Sequence, residues 1–400
     1  MIKVAVLGYG TVGSGVVQVI QDNAALISKR VGDDIEVKYI LDLREFPGDK
    51  NEDKVVHDIN VILDDPEVSI VCETMGGVNP AFQFSKDALA KGKSVCTSNK
   101  ELVENHGPEL IALAKQNNCN YLFEASVGGG IPIIRPMNSS LAPEEIVRIM
   151  GILNGTTNFI LTKMAKEGAA YADVLKQAQE LGYAERNPEA DVEGHDAGRK
   201  IAILSSLMTG KTVKFADVHT EGITKIETID FEYAAKMGKS IKLIAMAEQK
   251  DGKLTALVAP FMIGADHPLN GVNGVFNAIY VTGNMLGDVM FYGQGAGKLA
   301  TASAVVSDVI ECARNLDRTL PVVWDDEKLD VEDYTASERC FFVRAAIGSR
   351  SQVLNTFGSI NEIRVTDEEF AFVTNKMSEQ AFNKLIASVD KVISTIRVAE

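Results

Sequence analysis

Residues 2–15 read IKVAVLGYGTVGSG, a short apolar run that breaks into glycines at Gly8, Gly10 and Gly13. The run up to Leu7 has the length and near-continuous apolar character of a buried parallel strand. Beyond the glycines, Val12, Val16, Val19 and Ile20 recur at spacings of three and four, the period of a helix. A G-x-G-x-x-G that leaves a strand and opens a helix points to a dinucleotide. Gly8 permits the tight turn, Gly10 lets the backbone approach a pyrophosphate, and Gly13 lets helix and strand pack closely. The first helical residues, Thr11 and Val12, then offer amide N–H groups and the positive end of the helix dipole to the phosphates.

Outward from this stretch the chain alternates. Strands are expected at 36–42, 69–73, 93–97 and 121–124, with helices at 82–91 and 108–117. Strands alternating with helices mean parallel βαβ units, so the fold class is α/β with a Rossmann-type doubly wound sheet. After Pro132–Pro136 the pattern changes. Helices at about 157–167, 171–181 and 194–209 mix with strands at 146–152, 254–263 and 274–282, an α+β build. Residues 293–301, GQGAGKLAT, form a glycine-rich turn that opens another helix over 305–315. Residues 325–339 are polar and acidic and read as a linker. Beyond them, strands at 340–347, 362–366 and 369–375 and helices at 351–357 and 378–390 give a small β-α-β-β-α unit.

The bulk properties agree with a globular enzyme of two or three units. Four hundred residues exceed one ordinary domain, and the apolar and charged fractions, 46% and 24%, are those of a folded chain. A net charge of −15 argues against nucleic acid or an anionic membrane as the main partner. No apolar run approaches the ~20 residues of a membrane span, and the first residues lack the pattern of a secretory signal. Five dispersed cysteines (72, 96, 119, 312 and 340) with no C-x-x-C pair suggest reduced thiols and a cytoplasmic location.

Cofactor choice stays open at this level. Asp42, at the end of the second strand, is placed to accept the adenosine ribose hydroxyls and favour NAD. Arg44 is placed to pair with a 2′-phosphate and favour NADP. Lys100 follows the strand 93–97 at the carboxyl end of the sheet, where doubly wound folds place ligands. Position alone fits an ordinary helix-start lysine equally well.

Residues 187–200, NPEADVEGHDAGRK, concentrate charge at a helix start. Asp196 and Lys200 are i and i+4, neighbours on one face, beside an apolar stripe of Ala197, Ile201, Leu204 and Met208. By itself such a pair is usually a solvated helix pair worth ~0.3–0.5 kcal/mol, and His195 is usually a polar helix-start residue. A dinucleotide fold upstream changes the weighting. Hydride transfer to an aldehyde needs a proton at the developing alkoxide, which a lysine held by carboxylates can deliver.

Three longer stretches carry a family resemblance. Residues 178–200, including GYAERNPEADVEGHDAGRK, residues 124–134, EASVGGGIPII, and residues 151–160, GILNGTTNFI, are similar to the signatures of homoserine dehydrogenases, over residues 1 to about 320. Asn187 stands where aspartate is common. The resemblance implies NAD(P)-linked interconversion of L-homoserine and L-aspartate 4-semialdehyde. It implies Lys200 as proton donor and acceptor, Lys100 as a second lysine at the site, and Asp191 supporting Lys200. Glu185, Asp196 and Tyr183 would bind substrate. Gly182, Gly295 and Gly297 would line the cofactor, with Thr74 near the nicotinamide ribose. A monovalent cation, usually sodium, would be held by Glu124 and the carbonyls of Val127, Gly129 and Ile131; physically, a glycine-rich loop with one carboxylate can wrap a hard ion in oxygens. A homodimer through the middle region is implied. The domain division is then 1–135 with helix 295–320 for the dinucleotide, 136–294 for substrate and dimerisation, and 325–400 as an ACT-like C-terminal unit. That unit has a short first helix and lacks an Asp-Pro-Gly turn, so threonine inhibition is expected to be reduced or lost.

Other readings are weaker. A sugar-phosphate oxidoreductase would need a basic cluster around 150–200, which is missing. A semialdehyde-oxidising enzyme would need an activated thiol, yet Cys72, Cys96 and Cys119 fall in or beside predicted core strands. A nucleotide sensor without chemistry would leave Asp191, Asp196 and Lys200 idle.

Overall fold

The computed structural model describes residues 1–399. It divides into two compact units, the first formed by Met1–Glu144, Ala202–Lys214 and Gly293–Leu329, the second by Glu145–Ile201, Phe215–Tyr292 and the chain from Asp330 onward.

The first unit holds a six-stranded sheet of β1 (Ile2–Leu7), β2 (Ile35–Leu41), β3 (Val55–Val56), β4 (Val68–Glu73), β5 (Ser94–Thr97) and β6 (Tyr121–Leu122). Its order is β3-β2-β1-β4-β5-β6, and every pairing is parallel. The order reverses direction between β1 and β4, the switch point at which such sheets bind ligands. Val4 and Val6 are fully buried with Ile70, Cys72 and Cys96 in one core cluster. The helix Lys298–Arg314 returns late in the chain to cover this core with Val305, Val309 and Cys312. It packs so tightly on the helix Thr11–Asp22 that a Cβ on Gly15 would lie 2.9 Å from Ala302 Cβ.

The helix expected over 108–117 begins earlier, spanning Lys100–Gln116 with Pro108 in its interior. Proline has no N–H to give the carbonyl of Glu104, which normally ends or kinks a helix. Here Lys214 Nζ donates to that carbonyl at 2.9 Å and to Asn105 O at 3.1 Å. The ammonium replaces the missing amide.

The second unit is built on a ten-stranded sheet. Its strands are β7 (Ile146–Ile152), β8 (His219–Thr220), β9 (Lys239–Lys250), β10 (Lys253–Gly264), β11 (Phe276–Gly283), β12 (Gly287–Gln294), β13 (Glu338–Ala346), β14 (Glu369–Val373), β15 (Met377–Ser378) and β16 (Val392–Ala399). The main path runs β12-β11-β7-β9-β10-β16-β13-β14, with β8 on β10 and β15 on β13. Strands β9 and β10 form a hairpin whose loop residues Asp251 and Gly252 both have positive φ, as a type I′ turn requires.

The C-terminal segment departs from the expected β-α-β-β-α layout. Residues 362–366 make only an isolated bridge, Ile363 to Ala371. A further strand, β16, follows the last helix, pairs antiparallel with β13 and runs parallel to β10. Residues 330 onward therefore share one sheet with the middle of the chain. Two buried arginines fasten it. Arg397 on β16 pairs with Glu221 at 2.7 Å and with Glu379, while Arg344 on β13 meets Asp230 at 3.1 Å and Glu227.

Candidate active site

In the first unit the glycine turn has the geometry of a phosphate cradle. A Cβ on Gly13 would lie 1.8 Å from Gly8 O, so no other residue lets the helix start this close to β1. Beyond Gly10 there is open space, and Gly10 caps the helix Thr11–Asp22 without a side chain, leaving the first-turn amides to a ligand. Thr74, just past β4, fixes the turn from the other side: its Oγ1 donates to Leu7 O at 2.9 Å and to Gly8 O at 3.0 Å.

Asp42, at the end of β2, does two jobs. Its carboxylate accepts the Tyr9 amide at 2.8 Å, tying the glycine turn to β2. It also accepts Arg44 Nε at 2.9 Å and a second guanidinium nitrogen at 2.8 Å. The guanidinium holds the Asp42 carboxyl far below the usual carboxylate range, against the opposing effect of burial. Gly8, Asp42, Arg44, His57, Met75 and Phe84 are among the residues lining a cavity of about 480 Å³.

Lys100 starts its helix directly after β5, and the residue before it is fixed by a buried network that the sequence did not reveal. Asn99 accepts the Leu102 amide as N-cap at 3.1 Å and donates to Gly77 O at 2.6 Å. Thr97 Oγ1 accepts the Asn99 amide and donates to Glu73 Oε2 at 2.6 Å. Burial pushes the Glu73 carboxyl up.

The loop after β6 was expected to wrap a cation. The Glu124 carboxylate is already engaged, accepting the amides of Ile133, Ile134 and Arg135 at 2.5, 2.8 and 2.7 Å. These bonds tie the carboxylate to the start of the next helical turn. Gly129, at φ +56°, packs against the turn 295–297, where an added Cβ would meet Gly295 O at 2.3 Å. Val127 and Ile131 are fully buried in the same loop, and Gly297 caps the helix Lys298–Arg314.

In the second unit the structure gathers Asp191, Asp196 and Lys200. Lys200 and Asp196 lie one turn apart on the helix His195–Thr209 and are only 9% and 8% exposed, which rejects a solvated surface pair. Lys200 Nζ donates to Asp196 Oδ2 at 2.7 Å and to Leu153 O at 2.8 Å. An ammonium has three N–H bonds, so one is left for a further acceptor. Asn154, unassigned in the sequence reading, donates to Asp191 Oδ1 at 2.7 Å and to Asp196 Oδ2 at 2.9 Å. Its place before Gly-Thr-Thr at a helix start was the available signal. Glu185 is exposed, as is Tyr183, whose ring sits edge-on to Phe159 at 5.1 Å; Gly182 enters this loop at φ +74°. His195 keeps its modest role, edge-on to Phe215 at 5.8 Å.

The three cysteines in or beside the parallel sheet do not fit a nucleophile's role. Cys72, Cys96 and Cys119 are buried, and burial pushes the Cys119 thiol up to about 12.

A parallel sheet with a glycine cradle at its switch point in one unit, and in the other a lysine buried among carboxylates, define an NAD(P)-dependent oxidoreductase. Comparisons with known proteins give the family. The model for "Homoserine dehydrogenase, NAD binding domain" matches residues 8–124, and that for "Homoserine dehydrogenase" matches residues 132–310. A homoserine dehydrogenase of Bacillus subtilis is 39% identical over 99% of this chain and 98% of its own length. The crystal structure of one from Thiobacillus denitrificans superposes with a TM-score of 0.91 at 34% identity, covering 100% of this chain and 98% of that one. A hyperthermophilic archaeal homoserine dehydrogenase in complex with NADPH matches with a TM-score of 0.66 at 29% identity, over 78% of this chain and 97% of that one. The chain belongs to the homoserine dehydrogenase family.

Proposed function

We propose that Lys200 is the proton-handling residue of this dehydrogenase, acting on the oxygen that interconverts between the hydroxyl of L-homoserine and the aldehyde of L-aspartate 4-semialdehyde. The observation that carries this is the buried ammonium held by Asp196 and Leu153 O with one N–H uncommitted. When bound, the nicotinamide supplies or accepts the hydride at the carbon bearing that oxygen. In the reducing direction Lys200 donates a proton to the forming alkoxide; in the oxidising direction it takes the hydroxyl proton. Asp196 and Asp191 keep the ammonium oriented and compensated. Glu185 and Asp196 contact the substrate ammonium, Tyr183 also binds the substrate, and Lys100 contributes a second positive charge.

Gly8, Gly10, Thr11, Val12 and Gly13 hold the pyrophosphate, Thr74 the nicotinamide ribose, Gly182, Gly295 and Gly297 the remaining cofactor wall, and Asp42 and Arg44 the adenosine ribose. Arg44 offers a donor fork for a 2′-phosphate, so NADP is used alongside NAD. A monovalent cation sits among the carbonyls of Glu124, Val127, Gly129 and Ile131. The functional division is 1–135 with 295–320, 136–294 and 325–400, the last being ACT-like, with the middle segment carrying a homodimer interface in a cytoplasmic enzyme. Supporting a dimer, Met285, Leu286, Met290 and Tyr292 are large apolar side chains exposed at the β12 end of the sheet. Threonine is a weak inhibitor or none.

One assay tests the reading. Purified enzyme is given homoserine with NAD or NADP separately, with and without sodium and threonine. Absence of homoserine-dependent nucleotide reduction with both cofactors would overturn it.

A further inference from the structure

Asn154 ends the turn between β7 and the helix Gly155–Glu167, and all of its side-chain hydrogen-bonding capacity is committed. Its Oδ1 accepts the Thr157 amide at 2.9 Å and the Thr157 hydroxyl at 3.0 Å, the first being the N-cap of that helix. Its Nδ2 reaches Asp191 Oδ1 at 2.7 Å and Asp196 Oδ2 at 2.9 Å. The cap therefore fixes which end of the amide faces the carboxylates: with Oδ1 held by the helix, the two N–H bonds can only point at Asp191 and Asp196. Asp196 Oδ2 is in turn the atom that accepts Lys200 Nζ. The residue just before, Leu153, supplies the carbonyl that accepts the other Lys200 hydrogen bond. One short turn thus touches both sides of the lysine's environment, and the asparagine sits 6% exposed within it.

We propose that Asn154 is a positioning residue for the proton transfer, a neutral double donor that lets two neighbouring carboxylates stay ionised and holds Asp196 where it orients Lys200. Two like charges in a buried site oppose each other's ionisation, and a hydrogen bond donated to a carboxylate favours its charged form. A helix cap alone would be served by serine, threonine or aspartate as well as by asparagine. Only asparagine among these caps also presents two N–H bonds to a pair of carboxylates.

The proposal rests on the reading of Lys200 as the proton-handling group, and the test separates the two. Asn154→Asp keeps the size and the cap but removes both donors and adds a third carboxylate facing Asp191, Asp196 and Lys200. Asn154→Ser keeps a cap with no charge and no reach. The measurements are kcat and KM for homoserine from pH 5.5 to 9.5, cofactor binding by nucleotide fluorescence, and thermal unfolding. Expected for Asn154→Asp is a kcat at neutral pH reduced about tenfold or more, with the acid limb of the pH profile moved upward. Nucleotide affinity and thermal midpoint should stay close to the parent. Asn154→Ser, which removes the same two donors without adding a charge, should lower kcat similarly and move the limb upward by a smaller amount. In a Lys200→Ala background, Asn154→Asp should add less than about twofold, because the asparagine acts through the lysine. An Asn154→Asp enzyme with the parent's kcat and pH profile overturns the proposal even if Lys200→Ala is inactive. So does a loss of the same size in the Lys200→Ala background. An active Lys200→Ala enzyme overturns the underlying reading instead.

Discussion

Lys200 and Asp196 are joined at 2.7 Å one helical turn apart, and both are buried. That pairing makes the lysine a fixed ammonium rather than a mobile surface cation. Lys200→Ala should lower kcat by about 10²–10⁴-fold while nucleotide binding and folding persist. Steady-state rates and nucleotide titrations on the same preparation check this. Turnover within threefold of the parent would remove Lys200 from the mechanism.

The proposed cofactor role of Arg44 rests on a different ion pair, with Asp42. Arg44 reaches Asp42 through two nitrogens while its own side chain remains 63% exposed, so it is available to solvent-borne phosphate. Arg44→Ala should raise KM for NADP by roughly 10-fold or more, leave NAD nearly unchanged and flatten the salt dependence of NADP use. Equal effects on both nucleotides would refute a 2′-phosphate role.

Gly13 tests the cradle. Alanine there would place Cβ 1.8 Å from Gly8 O, a contact relieved only by moving the turn off β1. Gly13→Ala should destabilise the protein by about 1–3 kcal/mol and weaken nucleotide binding at least tenfold. Gly10→Ala, whose Cβ would have nothing within 4 Å, should leave stability near the parent and impair only binding. Denaturant melts paired with nucleotide titrations separate the two.

Acid should attack the seam between β10 and β16. Burial pushes the Glu221 carboxyl up, but hydrogen bonds from His219 and Arg397 outweigh it and hold it near about 2. A depressed carboxyl contributes stability in full above its unfolded pKa and loses it as pH falls towards its folded value. Stability should therefore decline from about pH 4.5 down to about 2. Arg397→Met leaves Glu221 and Glu379 without their shared partner and should cost about 3–5 kcal/mol at neutral pH. A variant as stable as the parent at pH 7 would contradict this.

The alkaline side carries its own signature in Lys242 on β9. Burial, with Lys166 nearby, lowers its pKa to about 8, while its ammonium donates to Val272 O at 2.5 Å and Asn273 Oδ1 at 2.9 Å. The unfolded chain binds this proton up to about pH 10.4, so stability from this group rises between about pH 8 and 10.4. Denaturation midpoints across that window should rise more in the parent than in Lys242→Met. Parallel curves would disprove it.

The first unit was legible because its signals are local. Ile2–Leu7, the glycines and the stripe from Val12 to Ile20 each specify their own conformation, and the structure uses them together. The second unit was read less well. Lys239–Lys250 is rich in Ala, Met, Lys, Glu and Gln, good helix formers, yet it becomes β9 because β7 and β10 flank it on both edges. The Asp251-Gly252 pair after it was a hairpin signal left unused. Val392–Ala399 is rich in β-branched residues and readable as a strand, but its partners lie elsewhere in the chain. Pro108 looked like a helix start because the lysine that rescues its turn, Lys214, is more than a hundred residues away. The Asp191, Asp196 and Lys200 cluster was visible as a charge pattern, whereas Asn154 was not, since its role depends on two carboxylates some forty residues later.

The place of β16 has a consequence for how the molecule is made. The latest of the sheet's strands in chain order is not at the rim but inside it, with β10 on one side and β13 on the other. Until β16 has been made and seated, β10 and β13 each present an open edge able to recruit a neighbouring chain. A stop placed just before Val392 would remove β16 and leave that condition permanent.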